Sequence, residues 1–301
     1  MQTVSIFGIG RVGGALALAL PRNKYEIKNL VGRSLENARK ISSEIDSGPN
    51  VLDENELAGL GEDIILITTG DSEISAVSKK LAELGPGRET VVLHTSGSLS
   101  SEVLRNQGNS DYHVGSLHPL VSISDSRLGP ERMRDAYFAV EGDDSAVRIG
   151  NEIARDLGGK PFTVETKNKA LYHASAVTAC GHLVALLDTA FRMFSKCGGD
   201  EIQSKEILMP LIKSTISNLE DQNSADALTG TFARVDTETF QRHIEAMKGE
   251  LSAEDRIVYL RLGLQSLGLV GEDPDNKGRI SDMKEKILLE EKKLRKKVNR
   301  R

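Results

Sequence analysis

Apolar and polar positions change in blocks along the first half of the chain. A β-branched run, TVSIF at Thr3–Phe7, passes through glycines into an Ala/Leu-rich stretch that ends at Leu20, and YEIKNLVGRS follows as a second strand pattern. EDIILITT then precedes DSEISAVSKKLAEL, TVVLHTS precedes SLSSEVLRNQG, and YHVGSLHPL closes the series. Strand-length apolar runs alternating with segments of helical period predict an α/β, doubly wound and mainly parallel sheet with right-handed crossovers. DAYFAV, SAVRIGNEIARDLGG and KPFTV predict one more strand, helix and strand in the same sheet, with Gly158 and Gly159 ending the helix. The first domain is therefore expected over residues 1–165.

From Thr166 strand patterns vanish. Helical patterns take over at Lys167–Lys196, Glu201–Glu220 with Pro210 as a kink point, Thr237–Lys248 and Ala253–Leu267. Ser252-x-x-Asp255 reads as a capping box and Gly268 as a stop signal. This predicts an all-helical second domain over 166–273, packed on the first with a cleft between them. Residues 274–301 place Ile280, Met283, Ile287, Leu294 and Val298 near helical spacing, which predicts a basic amphipathic terminal helix. The long apolar stripes of the helical domain predict a homodimer.

Charge narrows the partners. The net charge is −5, yet residues 275–301 hold eleven Lys/Arg against five Asp/Glu, which leaves about −11 on the body. An acidic body argues against nucleic acid as the main partner, and the basic end reads as a solvated helix docking on the body or on a second subunit. The run Ala15–Leu20 is too short to span a bilayer and follows no basic segment, so a cytoplasmic protein without membrane contact is expected. Cys180 and Cys197 lack the paired spacing of a zinc site and read as free thiols, with no metal implied.

Candidate chemistry begins at Gly8-x-Gly10-x-x-Gly13, between the first strand and first helix. Gly8 suits a tight turn, Gly10 a close approach of backbone to pyrophosphate, and Gly13 close packing of helix on strand. Arg11 and Val12, at the start of that helix, belong to the same phosphate-facing loop, and its bare N–H groups suit an anion. This is the pattern of a dinucleotide-binding Rossmann domain. About 20 residues on, where an acidic residue would bond a ribose 2′-hydroxyl, stand Arg33 and Ser34, groups suited to a 2′-phosphate; the cofactor expected is NADP(H). Arg33 stacking on adenine, or standing in solvent, is the alternative.

In such sheets ligands lie beyond the carboxyl ends of the strands. Thr68 and Thr69, His94, Ser96 and Gly97, and His118 occupy those ends. Small groups at Thr69, Ser96 and Gly97 would let the nicotinamide ribose lie close to the backbone, although Ser96-Gly97 also suits a helix-capping turn. His118 is expected to line the cleft, and His94 either to face it or to point into packing. At about 100° per residue Lys169, His173, Ala176 and Cys180 share one helical stripe. A cation and an imidazole there could donate a proton and anchor a substrate; a solvent-exposed first turn without function is the alternative. Arg234 could clamp an anion or pair with Asp236, which is expected to cap the following helix.

Together, GxGRVG at Gly8–Gly13, Gly32-Arg33, HTSG at His94–Gly97, SLHPL at Ser116–Leu120, KALYHASAV at Lys169–Val177, LMPL at Leu208–Leu211 and ALTG with Arg234 and Asp236 resemble a bacterial group. It comprises two-domain Rossmann-like proteins provisionally named NADP oxidoreductases, with a helical C-terminal domain of unknown function. They are related to the β-hydroxyacid dehydrogenase and pyrroline-5-carboxylate reductase superfamily. The resemblance implies a lysine and an amide four positions on as the acid/base pair, matching Lys169 and His173 except that histidine replaces the amide. Other departures are Cys180-Gly181 for Ser-Asn, Gly70 for Pro, Thr231 for Pro and Val235 for Gly. The function expected is hydride transfer between NADP(H) and a small carbonyl, hydroxyl or imine substrate held between the domains, with His118, Cys180 and Arg234 near the substrate. A non-catalytic NADP(H)-sensing protein is the competing reading, and hydride exchange with a deazaflavin a third.

Overall fold

A computed structural model describes residues 1–55, 57, 59, 61–105, 112–270 and 274–298. The chain forms two compact units, Met1–His182 and Leu183–Arg301. In the first unit an eight-stranded sheet is built from β1 (Gln2–Phe7), β2 (Tyr25–Val31), β3 (Asn50–Leu52), β4 (Ile64–Ile67), β5 (Val91–His94), β6 (His113–Leu120), β7 (Tyr137–Gly142) and β8 (Lys160–Thr163). Its order is β3-β2-β1-β4-β5-β6-β7-β8. Strand order reverses on either side of β1, so the carboxyl ends of β1 and β4 flank a crevice, the usual ligand position in such sheets.

The central strands are largely apolar because both faces are covered. One face packs under α1 (Arg11–Ala19), α2 (Leu35–Ser42) and, at the far end, α5 (Asp144–Asp156), around Ile6, Leu16, Leu66, Leu93 and Phe138. The other packs under α3 (Asp71–Leu84) around Phe7, Ile65, Ile67, Ile74 and Leu81. Two features go beyond the sequence pattern: β3 is only three residues long, and a short helix, α4 (Gly129–Met133), packs against α1, where a Cβ on Gly129 would lie 2.1 Å from that of Ala15. The added unit of β7, α5 and β8 is as expected, with β8 parallel to β7, but β7 itself runs antiparallel to β6.

The expected long helix over 167–196 divides. α6 (Lys169–Val177) meets a wider turn at Thr178–His182 before α7 (Leu183–Ser195). Thr178 donates to the Ala174 carbonyl at 2.8 Å, a back-bond that competes with regular helical spacing. The first unit ends here rather than at 165, because α6 is pinned to the sheet by Lys169. Within Thr166–Ser195 an 18-residue window is apolar enough, by length and composition alone, to cross a membrane, and none of that window is buried.

The second unit continues with α8 (Glu201–Asp221), which runs through Pro210, then α9 (Ser224–Ala227), α10 (Gly230–Ala233), α11 (Thr237–Ala246), α12 (Ala253–Leu269) and α13 (Pro274–Val298). Ser252 caps α12 by accepting from the Asp255 amide at 3.0 Å, as the capping box predicts. The helix passes Gly268, around which a side chain would meet open space. The expected terminal helix docks: Met283, Ile287 and Leu294 are buried, while Arg256 donates to Glu290 at 3.0 Å and Arg261 pairs with Glu291 at 2.7 Å.

Candidate functional site

At the end of β1 the three glycines behave differently, each for a steric reason. Gly8 adopts φ +92°, and a Cβ there would lie 2.7 Å from Thr69. A Cβ on Gly13 would lie 2.2 Å from the Gly8 carbonyl oxygen and 2.3 Å from Thr68 Oγ1. At Gly10 a Cβ would meet nothing within 4 Å. Two glycines are therefore required by packing, and the third leaves open space ahead of α1, where its N–H groups accumulate partial positive charge. Thr68 Oγ1 lies 2.9 and 2.5 Å from the carbonyls of Phe7 and Gly8, tying the turn to β4. Arg11 is exposed at the helix start, and Val12 packs inward on the core.

This loop borders a cavity of about 370 Å³ that gathers Gly8, Gly10, Arg33, Ser34, Thr68 and Thr69. Thr69 Oγ1 is buried with no hydrogen-bond partner among the described residues, an orphan that a ligand hydroxyl or phosphate would satisfy. Arg33 stands at the rim, 70% exposed, and pairs with Glu73, which lines the same cavity. These residues fit a dinucleotide: a glycine turn for pyrophosphate, a free hydroxyl, and a guanidinium at the ribose position.

A second cluster forms where the loop after β5 meets β6, β7 and α6. Register sets it up: His94 pairs with Ser116, and Ser116 with Glu141 across the antiparallel pair. Ser116 and His118 share a face of β6 because side chains alternate along a strand. Lys169, 1% exposed, donates to the Ser96 carbonyl at 2.9 Å and to Ser116 Oγ at 2.6 Å, with Glu141, itself 3% exposed, 3.8 Å away. Glu141 accepts from the Ser101 amide at 2.7 Å, from Ser116 Oγ at 2.9 Å, and from the hydroxyls of Ser101 and Thr166. Burial lowers the Lys169 pKa to about 8, opposed by the Glu141 charge.

His94 and His118 part company here. His94 is fully buried, its Nδ1 accepting from the Ser96 amide at 3.2 Å, and burial with the nearby Lys169 lowers its pKa to about 4. Its ring shapes the Ser96 turn from behind. His118 lines a cavity of about 520 Å³ together with Tyr172, His173 and Cys180. Its ring stacks edge-on against His173, centroids 5.9 Å apart, and its Nδ1 lies 2.7 Å from the Tyr172 hydroxyl. Both histidines close on Gly97, where a Cβ would lie 2.5 Å from His173 Cδ2 and 2.8 Å from His118 Nε2.

The predicted stripe thus grades from buried Lys169 through half-buried His173 to exposed Cys180, the last on the cavity rim. Lys169 neither faces open space nor stands in solvent. Arg234 lies exposed in the second unit at the end of α10, its carbonyl accepting from Arg279 at 3.1 Å. Asp236 does not pair with it but caps α11 through the Thr239 amide at 3.0 Å. Sequence reasoning missed Glu141, Ser116 and Tyr172. The available signal for Glu141 was a carboxylate at the end of an otherwise apolar strand; a buried lysine requires such a counter-charge.

Residues 2–119 match the model of a Rossmann-like domain, and residues 136–266 that of a domain of unknown function, DUF2520. No curated protein matches the sequence. Among solved structures, protein TM1727 of Thermotoga maritima is 24% identical, with a TM-score of 0.68 over 89% of this chain and 98% of that one. BF3122 of Bacteroides fragilis, provisionally named an NADP oxidoreductase, is 19% identical with a TM-score of 0.72 over the same shares. A 1-pyrroline-5-carboxylate reductase of Streptococcus pyogenes is 16% identical, with a TM-score of 0.57 over 95% of this chain and 98% of that one. At these identities the likeness is one of fold.

Proposed function

We propose that this chain, a Rossmann-like domain followed by a DUF2520 domain, is an NADP(H)-dependent oxidoreductase acting on a small carbonyl, hydroxyl or imine carbon. The observation that carries the reading is the cavity beyond β1, with open space at Gly10, an unpartnered Thr69 hydroxyl and Arg33 at its rim. The names of similar folds, an NADP oxidoreductase and a pyrroline-5-carboxylate reductase, agree with it. The cofactor supplies the hydride when bound. The first unit's own residues hold the pyrophosphate at Gly8–Gly13, meet the 2′-phosphate through Arg33 and Ser34, and offer the Ser96-Gly97 turn to the nicotinamide ribose.

Lys169 acts as a positioning residue in this reading, because it holds the Ser96 carbonyl and Ser116 rather than opening to a substrate. His118 and His173 take the places nearest the reacting carbon. One observation favours a second reading, a non-catalytic NADP(H) sensor: the lysine that the resemblance would make a proton donor is fully enclosed. Under either reading the apolar residues Ile202, Ile207 and Leu211, exposed on α8, are where a second copy would dock.

Calorimetric titration with NADPH and NADH tests the nucleotide. NADPH should bind tighter, and Arg33→Ala should weaken it by about 1.5–3 kcal/mol, roughly tenfold to a hundredfold, because a charge-assisted contact is lost. Glu73 occupies Arg33 in the free protein, so Glu73→Gln should strengthen NADPH binding and leave NADH unchanged. Absence of binding by either nucleotide would overturn the proposal.

A further inference from the structure

The 520 Å³ cavity beside α6 is walled by His118, Tyr172, His173, Ser175, Ala176 and Cys180 among others, and none of its described lining residues is Asp, Glu, Lys or Arg. A ligand seated there meets no carboxylate, ammonium or guanidinium among the described lining residues, and the rings of His118 and His173 both lie against Gly97. The two nitrogens of His118 have different surroundings. Nδ1 lies 2.7 Å from the Tyr172 hydroxyl, with the rings edge-on at 83°, whereas the Nε2–Cε1 edge faces Gly97. The hydrogen bond made by one ring nitrogen decides which nitrogen carries the proton.

We propose that Tyr172 is a positioning residue that holds His118 as the neutral Nε2–H tautomer, so that an uncharged hydrogen-bond donor stands at the Gly97 turn for a carbonyl oxygen or imine nitrogen of a ligand without an acidic head group. The inference rests on the reductase reading for its ligand class, though not for the tautomer itself. Among the described residues His118 Nδ1 is the hydrogen-bond partner of the Tyr172 hydroxyl. In the reverse arrangement, with Nδ1–H donating to the phenol oxygen, the phenol proton would have no acceptor among the described residues. Burial pushes the Tyr172 pKa up to about 12 and lowers that of His118 to about 4, with Lys169 adding to the latter, so both groups are neutral at pH 7.

Long-range ¹H–¹⁵N correlation on the full chain carrying ¹⁵N-labelled histidine tests this without cofactor or substrate, His118 being assigned by its absence from His118→Gln. The expected spectrum at pH 7 has an unprotonated Nδ1 and a protonated Nε2. Tyr172→Phe should mix the tautomers and move both resonances. Should that variant fail to fold, a correlation across the hydrogen bond from the Tyr172 hydroxyl proton to Nδ1 in the wild type decides instead, and its absence would overturn the proposal. A protonated Nδ1 in the wild type, an imidazolium at pH 7, or His118 resonances unchanged in Tyr172→Phe would overturn it as well. For the ligand class, cyclohexanone and cyclohexanecarboxylate are titrated against NADPH-loaded protein. Preference for the ketone, lost in His118→Gln, is expected, and preference for the carboxylate would overturn that part. Failure of NADPH to bind would show in the nucleotide titration and is thereby separable from a wrong tautomer.

Discussion

The glycine cavity and the lysine cluster stand in one unit yet are built by opposite means. The first is a backbone device: three glycines in six residues, set between one strand and one helix, with function in the space that missing side chains leave. The second is a side-chain device that draws Ser96, Ser116, His118, Glu141, Lys169 and Tyr172 from four separate segments and buries opposite charges to hold them. The fold around a backbone site keeps its stability when peripheral charges are lost. A buried ionic network does not, because each partner left alone carries the full cost of its desolvation.

That contrast is broken most strongly at Lys169. Lys169→Met should strand Glu141 and cost about 3–5 kcal/mol, read as a drop in the denaturation midpoint, while Lys169→Met with Glu141→Gln should recover part of the loss. Arg33→Ala, by comparison, should leave stability within about 0.5 kcal/mol, since an exposed ion pair contributes little. Equal effects at the two positions would erase the distinction.

Acid should act on the second region next. His94 and His118 have folded pKa values near 4, below the ordinary 6.5, so the unfolded chain binds protons that the folded chain refuses. Their stabilisation is present in full above about pH 6.5 and is lost as pH falls toward 4, an effect on the order of 1–3 kcal/mol for each ring. Urea midpoints measured from pH 7 to pH 5 should fall accordingly. A flat profile would mean that these rings are open to solvent.

The same contrast explains what was legible in the sequence. Gly8, Gly10 and Gly13 lie within six residues, and their steric requirements can be read from spacing alone, so the first cavity was anticipated together with the sheet, α1 and the helical second half. Arg33 and Ser34 were anticipated at its rim for the same reason, each following a strand end. Glu141 and Ser116 were not, because their contact depends on β7 running antiparallel to β6, a pairing that strand patterns do not specify. Lys169 was placed on the right stripe, but its helical period could not show that the sheet covers its first turn and leaves Cys180 open. Nor could the pattern show the wider turn at Thr178–His182.

The smallest predicted effect returns to the first region. Gly70 precedes α3 with φ −61°, and a Cβ there would meet nothing within 4 Å. Proline, the residue expected there from the resemblance, fits that angle, and Gly70→Pro should raise stability by about 0.4–1 kcal/mol through the unfolded chain, measured as a small rise in thermal midpoint. A fall would show that the loop needs freedom that the backbone angle alone does not reveal.

We propose that the two regions grip one ligand, its adenosine end in the glycine cavity and its nicotinamide end beside Gly97. Titration of wild type and Gly97→Ala with NADPH and with 2′,5′-ADP, which lacks the nicotinamide, tests this directly, because the added methyl would crowd His118 and His173 and no residue of the glycine cavity. Gly97→Ala should weaken NADPH at least tenfold and leave 2′,5′-ADP unchanged. Unchanged binding of both, or equal weakening of both, would contradict it.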